Sequence, residues 1–263
     1  LLQKICLHLW RNSDCVMIVV SFFSAKGGTG KTTFNMSMAS FLKYHLGKAV
    51  IVLDADTPEY NLYNSRVREL DYKRKNGGID ESALYPVWKV LDVTPEGIEN
   101  LAGKLDALRG SVDYVLIDFP GSCVKDDAIW TFARRGVLDL VVIPVDMDPM
   151  VLASALQLAE IFTHTGQKVL LFFNKVHGKI PSEKYDAVAD LFRSRGFRMS
   201  ECRIKNALAM SRDAESGSNY LRSTICFPEK TVRDLNPQLI DLFKEVIGYE
   251  EREKTQAEGT VPV

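Results

Sequence analysis

The sequence predicts an α/β fold, a doubly wound and mostly parallel sheet with helices on both faces. Three observations carry that reading. Apolar runs of strand length recur at residues 18–23, 49–53, 114–117, 140–145 and 168–173. These runs are nearly continuous rather than alternating, which suits strands covered on both faces. Helical patterns fill the intervals, and strand–helix alternation leads to parallel strands joined by right-handed crossovers.

The elements follow in order. Residues 1–16 lack the pattern of a secretory leader: Lys4 is the sole early cation, and Arg11 and Asp14 follow without a small-residue cleavage site. Met17 stands directly before the first strand. The expectation is an extension outside the fold, upstream of a natural start. A glycine-rich loop then opens a helix over 32–46, with Met38, Phe41, Leu42 and His45 at helical spacing and Gly47 as its stop. The polar stretch 61–78, with its run Lys73-Arg74-Lys75, reads as a long excursion. Residues 149–163 and 182–195 read as helices, the second ending at Gly196. Residues 239–247, LIDLFKEVI, form an amphipathic closing helix packed on the sheet. The expected organisation is one domain over 17–250, with a polar tail at 251–263. No internal repeat or low-complexity tract interrupts it.

Composition excludes several classes. The 263 residues carry 33 Lys plus Arg against 34 Asp plus Glu, a net charge of −1. Any nucleic-acid contact must therefore come from a local patch. The five cysteines form no CxxC pair, which argues against a disulfide scaffold, a zinc ribbon or an iron–sulfur ligand set. The four histidines lack metal-ligand spacing. No stretch of eighteen apolar residues exists, so no membrane span is expected.

Ligands of doubly wound folds sit at the carboxyl ends of strands. The first strand runs into Ala25-Lys26-Gly27-Gly28-Thr29-Gly30-Lys31-Thr32-Thr33 and then a helix. This is the phosphate-loop pattern with Ala25 in place of its first glycine. Glycines let backbone N–H groups turn inward around a phosphate, and the helix amino terminus adds partial positive charge. Lys31 would reach the β- and γ-phosphates, and the Thr32 hydroxyl would bind Mg²⁺. The run Tyr114-Val115-Leu116-Ile117-Asp118 puts a second Mg²⁺ group, Asp118, at a strand tip.

The segment Lys26-Gly27-Gly28-Thr29-Gly30-Lys31-Thr32 matches the deviant Walker A box, KGGxGK[ST], and the chain resembles the ParA/MinD family of P-loop ATPases over about residues 18–247. The branch it most resembles is that of ParA-type partition proteins of plasmids and mobile elements. The resemblance implies that Lys26 reaches across a dimer interface to the ATP of the other subunit. It implies ATP held by Gly27, Gly28, Thr29, Gly30, Lys31, Thr32 and Thr33, with Mg²⁺ at Thr32, Asp54 and Asp118. It aligns Asp56 with the aspartate that positions the attacking water, although Thr57 is inserted before Pro58 and Glu59 stands where a glutamine is usual. Asp118-Phe119-Pro120-Gly121 matches the family's switch II. Asn174 falls where the family hydrogen-bonds adenine. The guanine-reading Asn-Lys-x-Asp is only half present, since Val176 and His177 follow Lys175, which favours ATP over GTP. Lys26, Lys31 and Asp56 are the expected catalytic residues.

The resemblance further implies a switch that ATP closes into a homodimer and slow hydrolysis, stimulated by a partner protein, reopens. What the dimer holds differs between branches. The cysteine pattern lacks the pairs of the cluster carriers. Tyr249 alone is not the terminal tyrosine cluster of the kinase branch. Residues 231–263 hold four cations against seven acids, a balance of −3 that anionic lipid repels. Residues 193–212 hold six cations against one acid, a balance of +5. Arg193, Arg195, Arg203 and Lys205 are therefore the candidate contacts to non-specific DNA. The expectation is a cytoplasmic ParA-like ATPase, without membrane contact, that segregates a plasmid or mobile element. The alternative is an ATPase regulator that recruits a protein complex, such as conjugation machinery, without binding DNA.

Overall fold

A computed structural model describes residues 17–90, 94–121, 133–205 and 223–258. The predicted architecture is the one observed. Seven strands form one sheet in the order β3-β2-β4-β1-β5-β6-β7, and every pairing is parallel. The strands are β1 (Ile18–Phe22), β2 (Val50–Asp54), β3 (Val87–Lys89), β4 (Tyr114–Asp118), β5 (Leu140–Val145), β6 (Lys168–Val176) and β7 (Arg198–Lys205). The helices are α1 (Lys31–Ser40), α2 (Asn61–Lys75), α3 (Pro95–Asp106), α4 (Pro149–His164), α5 (Ser182–Ser194), α6 (Glu229–Leu235) and α7 (Gln238–Glu258).

The apolar runs are continuous because each strand feeds two cores. Val19, Ile51, Leu53, Val115, Ile117 and Val141 face one layer, where α3, α4 and α5 supply residues such as Leu105, Phe162 and Phe192. Their neighbours Ile18, Val20, Val50, Val52, Leu116 and Val142 face the other, against α1, α6 and α7 through Phe34, Val232 and Phe243. The pleat sends successive side chains to opposite faces, so burial on both sides demands an unbroken apolar run.

Several elements differ from expectation. Residues 61–75 form α2 instead of a loose excursion. Only Leu62 and Arg66 of this helix are buried, too thin a stripe to show in the sequence. Strand β3 has three residues, and β7 is an edge strand that alternates exposed Arg198 and Glu201 with buried Met199 and Ile204. Helix α1 passes into a π-helical turn over Phe41–His45, and Gly47 follows with φ +67°, the expected stop. Helix α7 continues to Glu258, so residues 251–258 are helical. Residues 1–16, Cys123 and Arg212 lie outside the described residues.

Candidate active site

The order of the strands brings the motifs together. β1 lies between β4 and β5, and β4 lies between β1 and β2. The carboxyl ends of β1, β2 and β4 are therefore adjacent, and Asp54 and Asp118 are direct neighbours in register. This is the crevice where open α/β sheets hold ligands.

The glycine-rich loop joins β1 to α1. Gly28 (φ +74°) and Gly30 (φ +94°) occupy left-handed backbone that side chains resist. At Gly30 a methyl group would also meet Phe34 at 3.0 Å and the Asn174 amide nitrogen at 3.3 Å. No side chain caps α1. Its first-turn N–H groups face the loop end, the arrangement that receives a phosphate. Lys31 is buried. Gly121, at the turn after β4, lies against it: a methyl there would sit 3.1 Å from Lys31 Nζ and 3.2 Å from the Gly27 nitrogen.

The two aligned aspartates have different duties. Asp54 is fully buried, and its carboxylate accepts the backbone N–H of Asp56 (3.1 Å) and of Tyr63 (2.8 Å). It thus ties the loop after β2 to the first turn of α2. Burial raises its pKa, against those backbone hydrogen bonds. Asp118 is also fully buried, and its Oδ1 accepts from Asn35 Nδ2 at 2.9 Å. Burial pushes its carboxyl up to about 7; hydrogen bonds from Thr32 and Asn35 work against this, and Asp54 and Asp56 add repulsion. Its Oδ2 is the one buried side-chain polar atom without a hydrogen-bond partner among the described residues. An orphaned carboxylate oxygen is costly unless something occupies it.

A divalent cation would answer that cost. Among the described residues no three His, Cys, Asp or Glu side chains converge on a metal position. Mg²⁺, however, is held by one or two protein oxygens together with phosphates and water rather than by an all-protein cage. The residues fit: Asp118 Oδ2 and the Thr32 hydroxyl would hold the ion. It would supply charge neutralisation for the β- and γ-phosphates.

Asp56 is half-buried and accepts from Asn61 Nδ2 at 3.3 Å. Burial raises its pKa; Asn61 lowers it, Glu59 raises it and Lys31 lowers it. The carboxylate is thus within electrostatic reach of the Lys31 ammonium. The Thr57–Pro58 bond that carries the inserted residue is cis. Lys26 forms an ion pair of 3.4 Å with Asp148, which caps α4 by accepting from Met150 and Val151 N–H. Met150 beside it is 68% exposed. Asn174 donates to the Thr29 carbonyl at 2.8 Å, so in this structure its amide N–H supports the loop.

The expected DNA contacts lie at the sheet edge. Arg193 pairs with Asp190 and Glu201, Arg195 with Glu160, and Arg203 with Asp186; the neighbouring Arg198 pairs with Glu245. Arg203 also donates to Ser182 Oγ at 2.8 Å and lies 5.5 Å from the Tyr185 ring. Lys205 ends β7 and is exposed. Sequence reasoning passed over Asn35, Asp148 and the role of Gly121. Asn35 left a readable trace, being a polar side chain among Phe34, Met36 and Met38 in a helix that had to be buried.

The chain is similar to known ATP-binding and ATPase proteins. The chain is 28% identical over 142 residues to an uncharacterized ATP-binding protein of Methanocaldococcus jannaschii, covering 47% of this chain and 52% of that one. It thus spans about half the length of that relative. The fold resembles the MinC:MinD cell division protein complex of Aquifex aeolicus, with a TM-score of 0.59 at 16% identity over 94% of this chain and 98% of that one. It also resembles pNOB8 ParA bound to nonspecific DNA, with a TM-score of 0.52 at 16% identity over 90% of this chain and 100% of that one. The profile of the family described as "ATPase MipZ" matches residues 17–154, more than half of the chain and the part that holds the loop, Asp54, Asp118 and Asp148. The chain belongs to the MipZ ATPase family.

Proposed function

We propose that the protein is an ATP-dependent dimerising switch that hydrolyses ATP with Mg²⁺. One observation carries this reading: Asp118, with one buried oxygen unpartnered, takes a hydrogen bond from Thr32 of the loop that also holds buried Lys31, while the signature Lys26 pairs with Asp148. Lys31 would bind the phosphates, and Asp56 would orient the attacking water. A cation supplied from a second subunit offsets charge that develops in phosphoryl transfer, an effect worth about 10³–10⁵ in rate. Sedimentation should show a tight dimer with ATP and Mg²⁺ and none without. Lys31→Ala should abolish nucleotide binding. Asp56→Ala should retain ATP and trap the dimer. Lys26→Ala should bind ATP as a monomer and turn it over poorly; near-normal turnover would remove its role in trans.

The finer reading makes non-specific DNA the cargo of the dimer, for segregation of a plasmid or mobile element, with a partner protein that speeds hydrolysis. The likeness to pNOB8 ParA and the edge cluster Arg193, Arg195, Arg203 and Lys205 support it. The ion pairs of those arginines favour the second reading, a regulator that recruits a protein complex. A gel shift of random duplex DNA, with and without ATP, separates the two. Retardation only with ATP supports DNA as cargo, and no retardation at low salt supports protein recruitment.

A further inference from the structure

We infer that Asn35 is a positioning residue for the metal-binding carboxylate of Asp118. The inference rests on the proposed Mg²⁺-dependent function and adds a residue to it. Asn35 sits one turn into α1 and is fully buried. Its Oδ1 accepts the Phe22 N–H at 3.1 Å, at the last residue of β1. A backbone N–H can only donate, so this contact fixes which end of the amide is oxygen. The NH₂ end must then point the other way, and it donates to Asp118 Oδ1 at 2.9 Å. A second, longer contact of 3.5 Å runs from the same nitrogen to the Phe22 carbonyl.

The amide therefore ties three elements: the end of β1, the first turns of α1, and the tip of β4. Its effect on Asp118 is directional. With Oδ1 held by Asn35, Oδ2 is the atom left buried without a partner. The neighbouring residues of the helix, Phe34, Met36 and Met38, are buried apolar side chains, so packing alone would be met by another hydrophobe. Partners of this kind, behind a metal ligand, typically change metal affinity or activity about 10–100-fold when removed.

The test reads nucleotide binding rather than turnover. A fluorescent ATP analogue is titrated against the full chain over a range of Mg²⁺ concentrations, for the wild type, Asn35→Ala, Asn35→Leu and Asp118→Asn. Thermal unfolding is measured in parallel. The expected result is an unchanged Mg²⁺-free affinity in both Asn35 variants and a Mg²⁺ half-saturation raised about 10–100-fold. Asp118→Asn should lose the Mg²⁺ dependence altogether. Asn35 variants that melt earlier yet keep the wild-type Mg²⁺ half-saturation overturn the positioning role and leave the proposed function standing. Failure of both variants to fold makes Asn35 a structural residue and overturns it too. Full Mg²⁺ dependence in Asp118→Asn overturns the metal assignment itself, and the inference with it.

Discussion

Gly121→Ala isolates one contact of the site, the approach of the turn after β4 to the glycine-rich loop. Gly121 has no positive φ, so alanine fits its backbone. The added methyl would lie 3.1 Å from Lys31 Nζ and 3.2 Å from the Gly27 nitrogen, and 3.4 Å from Gly27 Cα. These distances are a few tenths of an ångström too short. Lys31 Nζ ends a flexible side chain and can shift, but Gly27 is backbone of the loop and yields less freely. Misplacing catalytic groups by 1 Å can cost about 10²-fold, so a shift of tenths should lower kcat/KM by up to about tenfold. That is up to about 1.4 kcal/mol of transition-state stabilisation. Folding stability should change little, because alanine also lowers the entropy of the unfolded chain by about 0.4–1 kcal/mol. Gly178→Ala is the control, since a methyl there meets nothing within 4 Å. Steady-state ATP hydrolysis, nucleotide titration and thermal unfolding on both variants decide the matter. Wild-type affinity and turnover in Gly121→Ala would refute the close approach of switch II to the loop.

Two further outcomes follow from buried groups. Arg66 donates to Thr224 Oγ1, the Thr224 carbonyl and the Tyr85 carbonyl, joining α2 to the segment before α6. Arg66→Met keeps the stem and deletes these bonds, costing about 3 kcal/mol by the usual penalty for stranded buried acceptors. Calorimetry should show Tm lower by about 6–12 °C; a loss under about 1 kcal/mol would mean the network is not rigid. For Asp118 burial pushes the folded pKa up to about 7, well above the ordinary carboxyl range. The native state then holds a proton that the unfolded chain has released, so this group's contribution to stability falls as pH rises from about 4 to about 7. Mg²⁺ with ATP should oppose the fall, because a cation favours the ionised carboxylate. The stability difference between wild type and Asp118→Asn, followed across that range, should slope downward without Mg²⁺; parallel curves would contradict the raised pKa.

The sheet was legible because a strand buried on both faces is apolar along most of its length, as five of the seven strands are apart from Ser21 and the polar residues at their ends. The two that are not, β3 and β7, lie at the edges, where β3 is short and β7 is half-solvated. α2 escaped detection because its hold on the fold is largely polar, with Leu62 its one fully buried apolar side chain. Arg66 and Asp54 secure it through hydrogen bonds to backbone, which leave no hydrophobic period. The phosphate loop was legible because its glycines answer a backbone requirement, seen at Gly28 and Gly30. Asp54 shows what alignment leaves out: each of its oxygens also accepts a main-chain N–H, which ties the loop after β2 to α2. Which oxygen of Asp118 is free depends on Asn35, a contact between residues 83 positions apart.

The basic cluster shows how a count along the chain differs from a charge in space. Residues 193–212 are rich in arginine, but Glu160 of α4, Asp186 and Asp190 of α5, and Glu245 of α7 fold back onto them. DNA would have to displace those carboxylates, whose exposed pairs are each worth about 0–1 kcal/mol. That exchange is feasible, and it has a measurable signature. Each phosphate neutralised contributes about −0.9 to the slope of log affinity against log salt. If Arg193, Arg195, Arg203 and Lys205 of both protomers reach phosphates, the slope should approach about −7. If the arginines stay with their acids and only Lys205 contributes, it should be about −2. The decisive variants remove the competitors instead of the cations: Glu160→Gln with Asp186→Asn should tighten ATP-dependent DNA binding if Arg195 and Arg203 are DNA contacts. Unchanged or absent DNA binding in that double variant, with ATP-driven dimerisation intact, would place the arginines in the fold and favour a protein as the cargo of the switch.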